Sequence, residues 1–311
     1  MVGAGPGDPS LLTLGAVRLL AAARVVLYDR LLPAGILALA PPSATLVPVG
    51  KSPGAHTPQA DINNALVTAA AEGGVVVRLK GGDPGVYGRV AEETAALAPT
   101  PCTTVPGITA ASGVAASLGF PLTARGVAGS VRFVSGHAAA GGVGGSVLPD
   151  WGDLGGGEGG EAGWGGTTLV VYMGLATLGE AVGRLRAGGW GADVPAVAVE
   201  RGCTPEERVV WGVLGGMAKS VGAVGLRSPV LVVIGNVVGL ANGWRHWAAA
   251  EAARFGGGVP PPPPVAATAQ AGGWGAGPAT RAREAAADRR WVPRTVPVSE
   301  EAGGMTAAAD G

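Results

Sequence analysis

Three short glycine-rich loops each follow a β-branched run, and they constrain this chain more than any other feature. They occupy residues 3–8 (Gly-Ala-Gly-Pro-Gly-Asp), 81–83 (Gly-Gly-Asp) and 107–109 (Gly-Ile-Thr). In open α/β sheets, ligands bind beyond the carboxyl ends of the strands. Glycine there lets a backbone amide approach a ligand with no β-carbon in the way. One such loop fits a bare strand-to-helix turn equally well; three in one half of a chain point to a nucleotide-like ligand. The first loop departs from the dinucleotide fingerprint, because Asp8 stands at its last position and Pro6 removes an amide. That disfavours a nicotinamide-dependent dehydrogenase.

Around these loops, strand and helix patterns alternate. Residues 10–23 carry leucines at helical spacing, 24–29 form a short buried strand ending in Asp29, and 44–49 form another. A helix at 60–72, a strand at 74–79, a helix at 90–97 and a strand at 103–105 follow. Such alternation predicts a mostly parallel sheet with helices on both faces. A second unit of the same kind is expected from strands at 131–135, 168–172, 196–200, 209–214 and 230–235, with a helix at 178–187. The fold class is therefore α/β, with an N-terminal domain over 1–112 and a C-terminal domain over 113–243. Only about two strand residues precede the first loop, where a strand usually has about five. Either that strand is truncated or the true start lies upstream.

Composition divides the chain further. It holds 57 Gly and 25 Pro in 311 residues, yet 47% of its residues are hydrophobic. The breakers are concentrated: 13 of the 29 residues at 138–166 are Gly, and 18 of the 57 at 255–311 are Gly or Pro. The first stretch reads as an insertion within the second domain. The low-complexity tail at 244–311 reads as disordered, with a polyproline spacer and a short terminal helix at its start. The 22 basic and 22 acidic residues leave no net charge, hence no footprint for nucleic acid. No apolar run reaches the roughly 18 residues that a membrane helix needs. Cys102 and Cys203 lack metal or disulfide-framework spacing, and His56, His137 and His246 lie far apart, so no metal is expected.

Asp29 ends a strand, where a carboxylate is either functional or a cap before Arg30. Lys51 closes another strand, where spacing alone favours a solvated loop lysine over a functional one. Arg78, Lys80, Arg89, Arg125, Arg132 and Arg201 flank the predicted ligand edge; grouped there, they would create a local positive field suited to an anionic substrate.

Longer motifs are more specific. Val2-Gly-Ala-Gly-Pro-Gly-Asp-Pro-Ser-Leu-Leu-Thr-Leu14, Val26-Leu-Tyr-Asp-Arg-Leu31, Val77-Arg-Leu-Lys-Gly-Gly-Asp-Pro84, Tyr87-Gly-Arg89 and Val105-Pro-Gly-Ile-Thr-Ala-Ala-Ser112 resemble the uroporphyrinogen-III C-methyltransferases of the tetrapyrrole methylase family. The likeness continues in order through Gly119-Phe-Pro-Leu-Thr123, Val170-Val-Tyr-Met-Gly-Leu175, Val199-Glu-Arg-Gly202, Glu207-Arg-Val-Val210 and Leu226-Arg-Ser-Pro229. It spans residues 2 to about 240 and leaves out the tail.

This resemblance implies two α/β domains of the tetrapyrrole methylase type, with S-adenosylmethionine held in the cleft between them, in a homodimer. It implies cofactor contacts at Pro6, Gly81, Gly82, Asp83, Val86, Thr109, Ala110, Met173 and Gly202. It also implies a proton acceptor at Asp29 and a donor at Lys51. The implied reaction is two successive C-methylations of uroporphyrinogen III to precorrin-2, for sirohaem or cobalamin biosynthesis. The implied compartment is the cytoplasm, or the chloroplast stroma where a transit peptide precedes this sequence. The segment after Lys51 departs from the family pattern, as do Val90-Ala91, Ala124 before Arg125, the long insertion and the short first strand. These departures fall on the substrate side and on Lys51. Two alternatives share the fold: a methylase acting on a later corrin intermediate, and a cofactor-binding homologue without turnover.

Overall fold

Val- and Leu-rich runs build two separate sheets in the computed structural model, which describes residues 1–50, 57–136 and 166–255. The first comprises β1 (Val2–Gly3), β2 (Val25–Asp29), β3 (Thr45–Val49) and β4 (Val76–Lys80), in the order β1-β4-β2-β3. Every neighbouring pair is parallel, as the alternation predicts. The strand expected at 103–105 shrinks to a single bridge between Val105 and Val2. Its partner β1 is two residues long, and Pro106 brings no amide with which to extend the ladder.

Strand side chains alternate between faces. One face of this sheet presents Val26, Val77 and Leu79 to α1 (Leu14–Ala21) and α2 (Ala34–Leu37), with Leu20 and Ile36 fully buried against them. The other presents Val25 and Leu27 to α3 (Gln59–Ala71), which contributes Ile62 and Leu66, and to α4 (Val90–Leu97). Leu27 pairs with Arg78 in register. The two-residue period therefore places Asp29, Arg78 and Lys80 on this second face, beside α3 and α4.

After α5 (Ala110–Leu118), the second sheet contains β5 (Ser130–Ser135), β6 (Thr167–Tyr172), β7 (Pro195–Glu200), β8 (Arg208–Val213) and β9 (Val230–Ile234). Its order is β5-β6-β9-β7-β8. Here the expectation of a mostly parallel sheet fails: β5–β6 is parallel, but β6–β9, β7–β9 and β7–β8 are antiparallel. The reason is connection length. Seven residues separate β7 from β8, too few for the crossover that a parallel pair requires.

α6 (Leu178–Ala187) and α7 (Leu214–Val224) cover one face of this sheet through Leu185, Leu214 and Met217. α5 and α8 (Asn242–Phe255) cover the other through Val114, Ala115 and Trp244. The expected boundary at 243 thus cuts into α8. Trp244 is buried, and its Nε1 donates to the Gly212 carbonyl at 2.9 Å, so this helix belongs to the core. Among the described residues, no helix is long and apolar enough to cross a membrane. Lys51, the insertion at 138–165 and the tail beyond 255 lie outside the described residues.

Replacing Trp244 with Ala removes a buried ring and leaves the Gly212 carbonyl without its donor. Unfolding by denaturant is expected to show a loss of about 3–5 kcal/mol.

Candidate functional site

The three glycine loops meet at the carboxyl end of the first sheet. Gly5 and Gly82 exchange backbone hydrogen bonds, Gly5 N to Gly82 O at 3.2 Å and Gly82 N to Gly5 O at 2.7 Å. A β-carbon on Gly3 would lie 2.5 Å from the Gly107 nitrogen, and one on Gly107 would collide with the Gly82 carbonyl. Asp83 clasps the arrangement. One carboxylate oxygen accepts the Gly85 amide at 2.7 Å and the other the Gly107 amide at 3.0 Å.

The glycines therefore have two separate roles. Gly3 and Gly107 lack side chains so that the loops can pack against one another, a requirement distinct from the ligand approach that the sequence suggests. Gly82 holds a φ of +66°, and a β-carbon on Gly81 would meet only Leu32 at 3.8 Å. Gly81 is exposed, whereas Gly82 faces the start of α5, where a β-carbon would lie 3.8 Å from the Ala110 nitrogen.

The second half supplies the opposite wall. Thr109 caps α5, accepting the Ser112 amide at 3.2 Å. Gly113, one turn into α5, lets Pro6 of the first loop come so close that a β-carbon would stand 2.6 Å from its ring. The same β-carbon would lie 3.0 Å from Cys203 Sγ, while one on Gly202 would collide with Val114. Pro6, Thr109, Ala110 and Gly202 are thus drawn together around α5, and a β-carbon on Gly82 would lie within 4 Å of Thr109 and Ala110. Val86 follows Asp83 in a turn closed by its amide on the Asp83 carbonyl at 3.1 Å.

Tyr172, at the end of β6, accepts the Ala111 amide on its hydroxyl at 3.1 Å. Its ring lies 5.1 Å from that of Tyr87 and 5.6 Å from that of Phe133. Burial pushes its phenol above the ordinary 10.0, opposed by the Ala111 amide and the Thr109 hydroxyl. Met173 comes next and is 52% exposed. Tyr87, Arg89, Met173, Arg201 and Cys203 all hold positive φ, between 49° and 63°. Each such conformation costs about 1–3 kcal/mol, and such residues cluster where function demands them.

Beside the loops lies a buried charge network. Arg78 Nη2 meets Asp29 Oδ1 at 2.5 Å, and its Nε meets Glu93 Oε1 at 3.3 Å. Lys80 Nζ donates to the same Glu93 oxygen at 2.7 Å. Burial, and after it the Arg78 charge, pulls Lys80 below its ordinary 10.5, with Glu93 opposing. The cationic cluster read from the sequence must therefore be redrawn. Arg78 and Lys80 are sunk beneath the surface and neutralised, and Arg89 chelates Glu92 at 2.5 and 2.8 Å. Arg125, Arg132 and Arg201 remain exposed.

Sequence reasoning missed Glu93, Tyr87 and Tyr172. A signal for Glu93 exists: on α4 it shares the inner face with Val90 and Leu97, which pack into the core. A carboxylate at a core position demands a buried cation.

A family model described as tetrapyrrole (corrin/porphyrin) methylases matches residues 1–218. The chain is 47% identical over 249 residues to the chloroplastic S-adenosyl-L-methionine-dependent uroporphyrinogen III methyltransferase of Arabidopsis thaliana, covering 79% of this chain and 65% of that one. It is 43% identical over 244 residues to the uroporphyrinogen-III C-methyltransferase of Paracoccus denitrificans, covering 78% and 81%. It spans about half the length of the siroheme synthases that it also matches. Among solved structures, it is similar to uroporphyrin-III C-methyl transferase of Thermus thermophilus complexed with S-adenyl homocysteine, with a TM-score of 0.62, 41% identity and coverage of 76% and 91%.

Tyr172→Phe tests the phenol's contacts. A phenol whose folded-state pKa is raised contributes stability that is complete below pH 10 and lost as the pH climbs through the raised value. Wild type is expected to exceed the variant by about 1 kcal/mol at neutral pH. Denaturant titrations should show that gap closing above pH 10.

Proposed function

The chain belongs to the tetrapyrrole methylase family, and from that membership we propose that it methylates carbon atoms of uroporphyrinogen III twice, using S-adenosylmethionine, to give precorrin-2. The observation that carries this reading is the identity of 43% with the Paracoccus enzyme over 81% of that enzyme's length. Precorrin-2 leads to sirohaem and to cobalamin-type rings, and this reading includes both.

The residues present fit such a cofactor. Gly81 leaves bare backbone exposed, Gly82 beside it holds a positive φ that favours glycine, and Thr109 and Ala110 begin a capped helix of nine residues. Met173 offers an exposed thioether, which is soft and apolar. Pro6, Asp83, Val86 and Gly202 complete the proposed contact set. Asp83 contributes through its backbone and by holding the loops, since both its carboxylate oxygens already accept amides.

When bound, S-adenosylmethionine supplies a sulfonium methyl group open to attack by an electron-rich pyrrole carbon. The protein's part is first to hold the two reactants in line, because positioning dominates such displacements. Transfer of the methyl leaves S-adenosylhomocysteine and a positively charged macrocycle; Asp29 then accepts the proton that the macrocycle loses from a position other than the methylated carbon, which carries no hydrogen. The Asp29 side chain is 31% exposed, so it is reachable, yet Arg78 fixes it. Lys51 is the proposed proton donor. The substrate's eight carboxylates are met by exposed Arg125, Arg132 and Arg201 rather than by buried Arg78 and Lys80. A homodimer is the proposed assembly. The Arabidopsis relative is chloroplastic by name; the stroma is the proposed compartment where a transit peptide precedes this sequence, and the cytoplasm otherwise.

Under anaerobic conditions, purified protein given S-adenosylmethionine and uroporphyrinogen III is expected to yield a product two methyl groups heavier by mass spectrometry. A folded sample that transfers no methyl overturns the reading. Asp29→Asn is expected to bind S-adenosylhomocysteine normally by calorimetry while turnover falls about 10²- to 10⁴-fold. Unchanged turnover would remove Asp29 from the chemistry.

A further inference from the structure

Ion pairs in a core need a reason. Glu93, Arg78 and Lys80 are between 1% and 4% exposed. Desolvating three ionised groups costs several kcal/mol each, and well-packed apolar residues of similar volume often stabilise a fold as well or better. Stability therefore does not explain why α4 carries a carboxylate at its inner face.

The geometry has a direction. Glu93 Oε1 gathers Lys80 Nζ, Arg78 Nε and the Gln59 amide at 2.7, 3.3 and 3.3 Å. Arg78 spends Nη1 on the Leu79 carbonyl at 3.0 Å. Its remaining arm, Nη2, reaches Asp29. The chain of contacts thus runs from the buried Glu93 carboxylate to Asp29, the one charged member of this network whose side chain approaches solvent. Two cations face two carboxylates, so the network is neutral. Glu93 Oε2 is buried without a hydrogen-bond partner, so the carboxylate is aimed by one oxygen rather than saturated.

We propose that Glu93 is a positioning residue for methyl transfer: by clamping Arg78 from beneath, it fixes the guanidinium that holds the Asp29 carboxylate at the mouth of the site. This rests on the reading of Asp29 as proton acceptor. Glu93 and Arg78 touch neither reactant in this account; they act through Asp29. Lys80 balances the charge of Glu93 and braces it from the neighbouring position on the same face of β4.

The test is a double-mutant cycle on the full chain, in which residues acting as one unit show non-additive losses. Glu93→Gln is expected to lower kcat about 10- to 100-fold with the KM for uroporphyrinogen III and the affinity for S-adenosylhomocysteine changed less than about threefold. Arg78→Gln is expected to lower kcat by at least as much, and Arg78→Gln/Glu93→Gln no further than Arg78→Gln alone. Additive losses overturn the proposal.

Lys80→Gln/Glu93→Gln removes both partners of the most buried pair and leaves no orphaned charge, so it keeps the experiment informative if Glu93→Gln fails to fold. That variant is expected to retain the kcat loss. Wild-type kcat in it would mean that Glu93 merely neutralises Lys80, and would overturn the proposal. Asp29→Asn separates the two levels. Full turnover in Asp29→Asn refutes the role of Asp29 itself, whereas inactive Asp29→Asn beside fully active Glu93→Gln refutes only the positioning role.

Discussion

At Gly3 and Gly107, which meet each other and the Gly82 carbonyl, three backbone segments approach more closely than a β-carbon permits, and the rest of the site depends on that approach. The loops it joins leave three different strand ends: β1, β4 and the bridge at Val105. Asp83 seals the junction with two amide contacts. Because the loops brace one another, Gly81 keeps its bare backbone exposed while Gly82 holds its place beside the start of α5. The same closeness recurs across the site, where Gly113 admits Pro6 and Gly202 admits Val114. Missing side chains thus shape the site twice, once by letting chains touch and once by leaving room.

Charge is arranged on a different principle. The cations nearest the loops are spent internally, in a neutral network whose outermost member is Asp29. Those left on the surface belong mainly to the second half. In the proposed reaction, substrate recognition and proton handling are thereby divided between exposed arginines and a carboxylate that Arg78 holds in place. Rigidity is the useful property for an acceptor, since a proton must leave one defined carbon.

Much of this was legible beforehand, for physical reasons that differ by element. The strands of the first sheet are short β-branched runs alternating with helices, and that alternation admits little but a parallel sheet. The second half shows similar runs, yet strand direction is not written in a run of Val and Leu. It is written in the length of the connections, and the brief link from β7 to β8 was the available clue. α7 went unread because Gly215, Gly216 and Gly222 dilute its helical pattern; it stands because Leu214 and Met217 are fully buried. Asp29 and the loops could be located from motifs, whereas Arg78 and Lys80 looked like surface charges. Only register reveals that they point inward, at a glutamate 15 and 13 residues further along.

The order of strands in the second sheet bears on how the chain folds as it is synthesised. Among the described residues β9 is the last strand made, yet it lies in the middle, between β6 and β7. The first sheet can close once Val105 has left the ribosome. The pairs β5–β6 and β7–β8 must then wait, with the inner edges of β6 and β7 unpaired, until Val230–Ile234 arrives to join them. Unpaired edges are where nascent chains aggregate. In this protein that exposure ends in a single event, the insertion of one five-residue strand.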